Sequence, residues 1–114
     1  MKISRYLVLL VSILLINFTN SKAQTDTVSI MTSSVCATCK KTIEENLSFE
    51  KGVKSSSLNV DTHVLKVVYD TKKTSPEKIR LAVTKIGYDA DSLKADPKSF
   101  KRLPECCKHP EKFH

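Results

Sequence analysis

The sequence has 114 residues and is basic, with 19 Lys and Arg against 12 Asp and Glu, a formal net charge of +7, and four cysteines. This length accommodates one domain and argues against a multidomain enzyme. Two glycines, four prolines and no tryptophan exclude a collagen-like or low-complexity chain. The composition therefore indicates one small globular domain.

The first 23 residues have the layout of a secretory signal peptide. Lys2 and Arg5 precede an uncharged, largely apolar stretch, residues 6–18, which is shorter than the roughly 20 apolar residues that span a bilayer. Small residues at Ser21 and Ala23 favour cleavage after Ala23. We therefore predict an exported protein, periplasmic in a Gram-negative source and otherwise secreted. Removal of residues 1–23 takes three basic residues and no acidic one, which leaves a net charge of +4.

The first half of the mature chain predicts a strand, a helix and a β-hairpin. Residues 27–31 are β-branched and apolar in alternation, which is typical of a strand. Cys39, Ile43 and Leu47 recur every fourth position and so lie on one face of a helix that ends near residues 48–49. Residues 53–61 and 64–69 then alternate as two strands, with His63 as a turn residue between them.

The second half predicts another helix and a short last strand. Ser75-Pro76-Glu77 is a helix start, an apolar stripe follows, and Gly87 ends the helix. Residues 88–93 are assigned to a short last strand, although Asp89 and Asp91 are unfavourable residues for a strand. The order β-α-β-β-α-β predicts an α+β, ferredoxin-like sandwich, a four-stranded antiparallel sheet with two helices on one face. This domain covers residues 24–95. The tail, residues 96–114, has no sustained period and is expected to become ordered only with a ligand.

The sequence Cys36-Ala37-Thr38-Cys39 falls where the first strand gives way to the first helix. The partial positive charge of a helix N-terminus lowers the pKa of nearby thiols. Two thiolates select Cu(I) and other thiophilic ions, and they are too few for a closed structural zinc site. We therefore predict that Cys36 and Cys39 bind a soft metal ion.

Lys40 and Lys41 follow directly, at a helix start where cations are unfavourable. Two interpretations remain open. The lysines neutralise a negatively charged unit of two thiolates and a monovalent ion, or they are ordinary solvated partners of Glu44 and Glu45 four residues on.

With these motifs the chain resembles the heavy-metal-associated domains of copper chaperones, copper-transporting ATPases and periplasmic mercury-binding proteins. The resemblance covers about residues 27–93 and rests on the C-x-x-C and on Gly52-Val53, Tyr69-Asp70, Ser75-Pro76-Glu77 and Gly87-Tyr88-Asp89-Ala90. It implies that Cys36 and Cys39 bind Cu(I), with Hg(II), Zn(II) or Cd(II) as alternatives, and transfer it by ligand exchange without enzymatic catalysis. The implied partner is a metal-transporting membrane protein or another metal-binding domain, and the implied state is a monomer or a metal-bridged dimer.

Two positions outside the C-x-x-C, Ser34 and Tyr88, bear on this resemblance. The family usually carries Met two residues before the first Cys, and this chain has Ser34 there. That departure concerns the loop geometry and the choice of metal and leaves the ligand pair intact. Tyr88 matches the position of the family's loop that approaches the metal, where it either covers the thiolates or packs behind the helix.

The tail carries a second group of soft ligands, Cys106, Cys107 and His109. Adjacent cysteines seldom pair with each other, and three interpretations remain open. They form disulfides with Cys36 and Cys39, as export favours. They add ligands to the same site, raising its coordination to three or four and favouring Zn(II) or a copper cluster. Or they form a separate soft-metal site. The unusual Cys-Cys-Lys-His spacing favours metal involvement.

A thiol–disulfide oxidoreductase is the alternative function, since C-x-x-C at a helix N-terminus in an exported protein also suits that chemistry. Against it, Val35 stands where such enzymes generally carry an aromatic residue, and no proline falls in a predicted strand. A nucleic-acid partner is not expected, because the mature excess is only +4 and aromatic residues do not interleave with the basic ones. The favoured prediction is an exported, non-enzymatic carrier of Cu(I) or another thiophilic ion.

Overall fold

The structure is a computed structural model that describes residues 24–108. The predicted signal peptide, residues 1–23, and the candidate ligand His109 lie outside this range. Among the described residues, the helices are all too short or too polar to cross a membrane.

The described residues form three strands and four helices, and every element predicted before residue 87 is present. The elements in chain order are β1 (Thr25–Met31), α1 (Ala37–Leu47), β2 (Val53–Leu58), β3 (Val64–Asp70), α2 (Pro76–Ile86), α3 (Pro97–Lys101) and α4 (Glu105–Lys108).

The strands form one antiparallel sheet in the order β1-β3-β2. Leu65, Val67 and Tyr69 of the central strand are all buried on one face, which confirms the period of two expected for a half-buried strand. Ile30 of β1 pairs with Leu65 and extends the same face. One side of the sheet is therefore apolar and must be covered.

The two longer helices cover that face. Cys39, Ile43 and Leu47 of α1 are each 0 % exposed, as their spacing predicted. In α2, Ile79 and Val83 are buried in the same core cluster. The Ser75 side chain caps α2 by accepting from the Lys78 N–H, also as predicted, at 3.3 Å. This arrangement is consistent with a ferredoxin-like sandwich.

The fourth strand predicted over residues 88–93 is not formed, and the described residues contain a three-stranded sheet. That segment makes two isolated bridges, Thr32 with Ala90 and Ala90 with Leu93. Asp91 supplies the reason, because its φ of 52° turns the chain away from an extended path. The Met31 N–H donates to the Asp91 side chain (2.8 Å), while the Asp91 N–H donates to the Met31 carbonyl (2.8 Å). A side chain thus replaces part of the strand pairing at the β1 edge.

The tail forms two short helices packed on the domain, where the sequence predicted no regular element. Asp96 caps α3 by accepting from the Ser99 N–H (3.1 Å), and its own N–H donates to the Thr84 carbonyl (2.9 Å). Leu103 is 7 % exposed and belongs to the same core cluster as the sheet and helices. Residues 96–108 thus contain regular structure that the sequence did not predict, and ordering of the tail by a ligand stays a prediction.

The Asp91 carboxylate is expected to stabilise the protein only above acidic pH. Arg80 Nε donates to Asp91 Oδ2 (2.8 Å), and this bond, with that from the Met31 N–H, holds the pKa of Asp91 below its usual range. Because the folded-state pKa lies below the unfolded value of about 3.9, the stabilisation is present above pH ~4 and is lost as the pH falls through the folded-state pKa. We expect Asp91→Asn to lower the free energy of unfolding by about 1 kcal/mol at pH 7.

Urea denaturation of wild type and variant at pH 7 and pH 2 measures this effect, and the difference should shrink at pH 2. The matched control is Asp61→Asn in the exposed hairpin turn, which should leave the free energy of unfolding at pH 7 close to that of the wild type. A difference for Asp91→Asn that stays the same at both pH values would contradict the prediction.

Candidate metal centre

Buried polar groups fix the loop between β1 and α1. Thr32 Oγ1 lies 2.7 Å from Ser34 Oγ, and Ser34 is 1 % exposed. The Thr32 N–H and hydroxyl both donate to the His63 carbonyl, at 3.0 and 2.9 Å, and His63 Nδ1 hydrogen-bonds to the Ser34 carbonyl. Ser34 thus belongs to a polar network at the position where the family usually has methionine. His63 does lie in the turn, with a φ of 65°, and it also holds the loop.

Cys36 and Cys39 lie where the sequence predicted, at the N-cap and in the first turn of α1. Cys36 is extended, with φ −153° and ψ 170°, and its carbonyl accepts the N–H of Lys40. The two Sγ atoms are 3.3 Å apart. Cys36 is half-buried, whereas Cys39 is 0 % exposed. One thiol of the pair therefore reaches the surface and the other faces the core.

The tail brings two more thiols to the same place. Cys36 Sγ lies 3.3 Å from Cys106 Sγ and 3.7 Å from Cys107 Sγ, and the latter two are 3.9 Å apart. These three sulfur atoms all lie within 4.8 Å of one another, and all four cysteines are free thiols. Of the three interpretations left open by the sequence, the structure disfavours a separate tail site.

Tyr88 both packs in the core and contacts the thiols, the two roles that the sequence left open. Its side chain is 0 % exposed in the core, and its hydroxyl donates to Cys107 Sγ at 3.3 Å. Burial first, and then the thiols of Cys107 and Cys39, raise the pKa of Tyr88. The hydroxyl stays protonated and acts as a hydrogen-bond donor to the sulfur cluster, which consists of Cys36, Cys39, Cys106 and Cys107.

The thiols of the cluster differ in how readily they ionise. Burial opposes ionisation of Cys36, but the backbone N–H of Cys39 and the thiols of Cys39, Cys106 and Cys107 outweigh it and lower its pKa to about 7. Burial raises the pKa of Cys107, and interaction with Cys39 adds to the rise. Cys36 therefore ionises more readily than Cys107, and the thiolate is the form that binds metal.

Lys40 is engaged along the helix, as the second interpretation of the lysines proposed. Its Nζ lies 2.7 Å from Glu44 Oε2 and donates to the Leu58 carbonyl at 3.0 Å. The Leu58 N–H donates to the same carboxylate oxygen at 3.0 Å. Burial opposes the ionised form, but Lys40 and the Leu58 N–H hold the pKa of Glu44 below its usual range. The pair ties α1 to the end of β2, and Lys41 is exposed.

Residues 27–89 match the family model of the heavy-metal-associated domain. The chain belongs to this family. The match includes the C-x-x-C, the hairpin and α2, and it ends before the tail that carries Cys106 and Cys107. A heavy-metal-binding domain is therefore established, as the sequence resemblance predicted, and the tail thiols are an addition to it.

Individual relatives agree with this assignment. A copper-exporting P-type ATPase of Staphylococcus aureus (strain JH9) is 31% identical over 79 residues, 69% of this chain and 10% of the ATPase. The chain thus spans about a tenth of the length of the curated relatives it matches.

Two small proteins match over nearly their whole length. The CopZ metallochaperone has a TM-score of 0.55 at 26% identity, covering 57% of this chain and 98% of CopZ. Oxidized MerP from Ralstonia metallidurans CH34 has a TM-score of 0.56 at 28% identity, covering 60% of this chain and 96% of MerP. MerP has also been described in a mercury-bound form, as the periplasmic protein of a bacterial mercury detoxification system.

Proposed function

We propose that this protein binds a thiophilic metal ion, foremost Cu(I), through Cys36 and Cys39 and passes it to a partner by thiolate exchange. The observation that carries the proposal is the 3.3 Å separation of the two Sγ atoms at the N-terminus of α1, in a heavy-metal-associated domain. Thiolates select soft ions, and the chain needs no covalent catalysis to bind and release one.

The unequal exposure of the two cysteines supports transfer. Cys36 is half-buried and its pKa is about 7, so that a thiolate is accessible near neutral pH. Cys39 is 0 % exposed. A partner thiolate can therefore replace Cys36 first, while Cys39 still holds the ion, and replace Cys39 in a second step. Each step forms one metal–sulfur bond to the incoming thiolate and breaks one to the outgoing thiolate, so that atoms and charge balance without a proton transfer.

Copper is the first choice among the soft ions, with Hg(II), Zn(II) and Cd(II) as alternatives. The support comes from the copper-exporting ATPase and CopZ among the relatives, and the relationship to MerP keeps mercury as the second choice. By the same relationship to an ATPase, the proposed partner is a metal-transporting membrane protein or another metal-binding domain. The layout of residues 1–23 supports export, with a mature chain that begins at Gln24.

Native mass spectrometry of the reduced protein tests this function. We expect one Cu(I) per chain in competition with Zn(II), and no bound metal after the thiols are alkylated with iodoacetamide. Unchanged metal binding by the alkylated protein would contradict the assignment to cysteine. The mass of the protein isolated from its own host also reports on export, because cleavage after Ala23 fixes Gln24 as the first residue.

A thiol–disulfide oxidoreductase remains the second candidate, because a thiol with a pKa of about 7 lies 3.3 Å from a buried partner thiol. That arrangement suits a nucleophilic and a resolving cysteine. The insulin-reduction assay separates the two functions: we expect the metal-free protein to give no catalytic turnover, and sustained reduction of insulin would favour the oxidoreductase.

A further inference from the structure

The sulfur cluster contains more ligands than the heavy-metal-associated domain alone supplies. Cys106 and Cys107 lie outside the residues that match the family, yet their Sγ atoms lie 3.3 and 3.7 Å from that of Cys36. Cys36 and Cys106 are 70 positions apart in the sequence. Folding of the tail, rather than proximity along the chain, brings these thiols together.

The distances between the sulfurs fit a coordination number above two. With a metal–thiolate distance of about 2.3 Å, two opposed sulfurs are about 4.6 Å apart, three in a plane about 4.0 Å apart, and four in a tetrahedron about 3.8 Å apart. The separations among Cys36, Cys106 and Cys107 are 3.3, 3.7 and 3.9 Å. The three sulfur atoms therefore need to move by only a few tenths of an ångström to bind one ion together.

Protein contacts hold the tail thiols at this place. Leu103 is buried, and its side chain packs so closely on Gly87 that a Cβ added there would lie 3.1 Å from Leu103 Cγ. Cys107 is 4 % exposed and accepts a hydrogen bond from the Tyr88 hydroxyl. The sulfurs are therefore prepositioned, which lowers the entropic cost of recruiting them as ligands.

We propose that Cys106 and Cys107 bind the same thiophilic ion as Cys36, so that the site offers at least three thiolates to a single ion. This inference rests on the proposed function and adds a second part of the chain to its site. The tail thiols then act as internal exchange ligands, which a partner must replace in addition to those of the C-x-x-C. The domain holds its ion more tightly than a two-thiolate site would, and it releases the ion when a partner supplies competing thiolates.

X-ray absorption of the Cu(I)-loaded reduced protein, together with chelator competition, tests the inference. We expect about three or four sulfur neighbours per copper in the wild type, from the tail thiols and the C-x-x-C together. In Cys106→Ser/Cys107→Ser we expect about two, with an affinity lower by at least about tenfold, or 1.4 kcal/mol. Since Cys107 is buried, its replacement can also disturb the core, and the single variant Cys106→Ser is therefore measured as well. It should lower both the number of sulfur neighbours and the affinity for Cu(I). Lys98→Ser/Arg102→Ser, two exposed positions of the same tail, should match the wild type.

The outcomes separate this inference from the proposed function. Two sulfur neighbours in the wild type, or equal affinities for the wild type and both cysteine variants, would overturn the inference and leave metal binding by Cys36 and Cys39 intact. Failure of the wild type to bind any soft ion would overturn both. A disulfide between a tail cysteine and Cys36 or Cys39 in the protein isolated from its host would also overturn the inference.

Discussion

Cys36→Ser/Cys39→Ser is expected to weaken Cu(I) binding by roughly four orders of magnitude. Structural sites with four ligands bind zinc with about 10–16 kcal/mol, or about 3 kcal/mol per ligand. Loss of two thiolates then costs at least about 5 kcal/mol, which corresponds to that change in affinity. The effect is large because Cys36 lies within 3.7 Å of every other sulfur of the cluster. Competition with a Cu(I) chelator of known affinity measures it.

Two further variants make the result specific. Thr38→Ala changes an exposed side chain between the two cysteines and should leave the affinity within about twofold of the wild type, or 0.4 kcal/mol. Because Cys39 is fully buried, its replacement also places a hydroxyl in the core, and Cys36→Ser alone removes a ligand without that cost. Wild-type affinity in the folded Cys36→Ser protein would show that the ion binds elsewhere.

Gly87→Ala is expected to lower the free energy of unfolding by about 3 kcal/mol and to displace the tail. Gly87 has a φ of 122°, which an L side chain rarely adopts, and strain of this kind costs about 1–3 kcal/mol. The added Cβ would also lie 3.0 Å from the Ser99 carbonyl oxygen and 3.1 Å from the Leu103 side chain. We therefore expect the tail to shift away from residue 87. Urea denaturation measures the stability, and the reaction rate of the thiols with Ellman's reagent measures the displacement.

Gly52→Ala is the matched control for this prediction. Gly52 has a φ of 83°, and a Cβ there would lie 2.8 Å from Thr74 Cγ2, so that the strain is similar. Its neighbours lie in the turn after β3 rather than in the tail. Both variants should be destabilised, and only Gly87→Ala should expose Cys107 to the reagent under native conditions. Equal thiol reactivity in the two folded variants would mean that Gly87 does not hold the tail.

The parts of the fold that follow from local periodicity could be predicted from the sequence. The four-residue spacing of Cys39, Ile43 and Leu47 was sufficient to place the C-x-x-C at a helix start, because a buried stripe fixes the orientation of an amphipathic helix. The hairpin and the Ser75 cap follow from equally local signals. The softness of thiolate ligands then indicated a thiophilic ion, and the family resemblance added transfer by ligand exchange.

The missed features depend on single side chains or on contacts distant in sequence. The positive φ of Asp91 removes the expected fourth strand. Asp89 and Asp91 were unfavourable for a strand in the sequence, but they did not predict this backbone conformation. Asp96-Pro97 has the cap and proline of a helix start. No helix was predicted there, because a helix as short as α3 has too few residues to show a period. The 70-residue separation of Cys36 and Cys106 could be bridged only by knowing how the tail packs.

Residues 88–91 support both sides of the sulfur cluster. On one side, the Tyr88 hydroxyl contacts Cys107 of the tail. On the other, the Asp89 N–H donates to Ser33 Oγ at 2.9 Å. Ala90 forms a bridge with Thr32, and Asp91 accepts from the Met31 N–H at the end of β1. The loop that carries Cys36 and the helix that carries Cys107 thus rest on one short stretch of backbone. Movement of the Cys36 loop or of the Cys107 helix away from the cluster would therefore disturb the contacts that residues 88–91 make with the other.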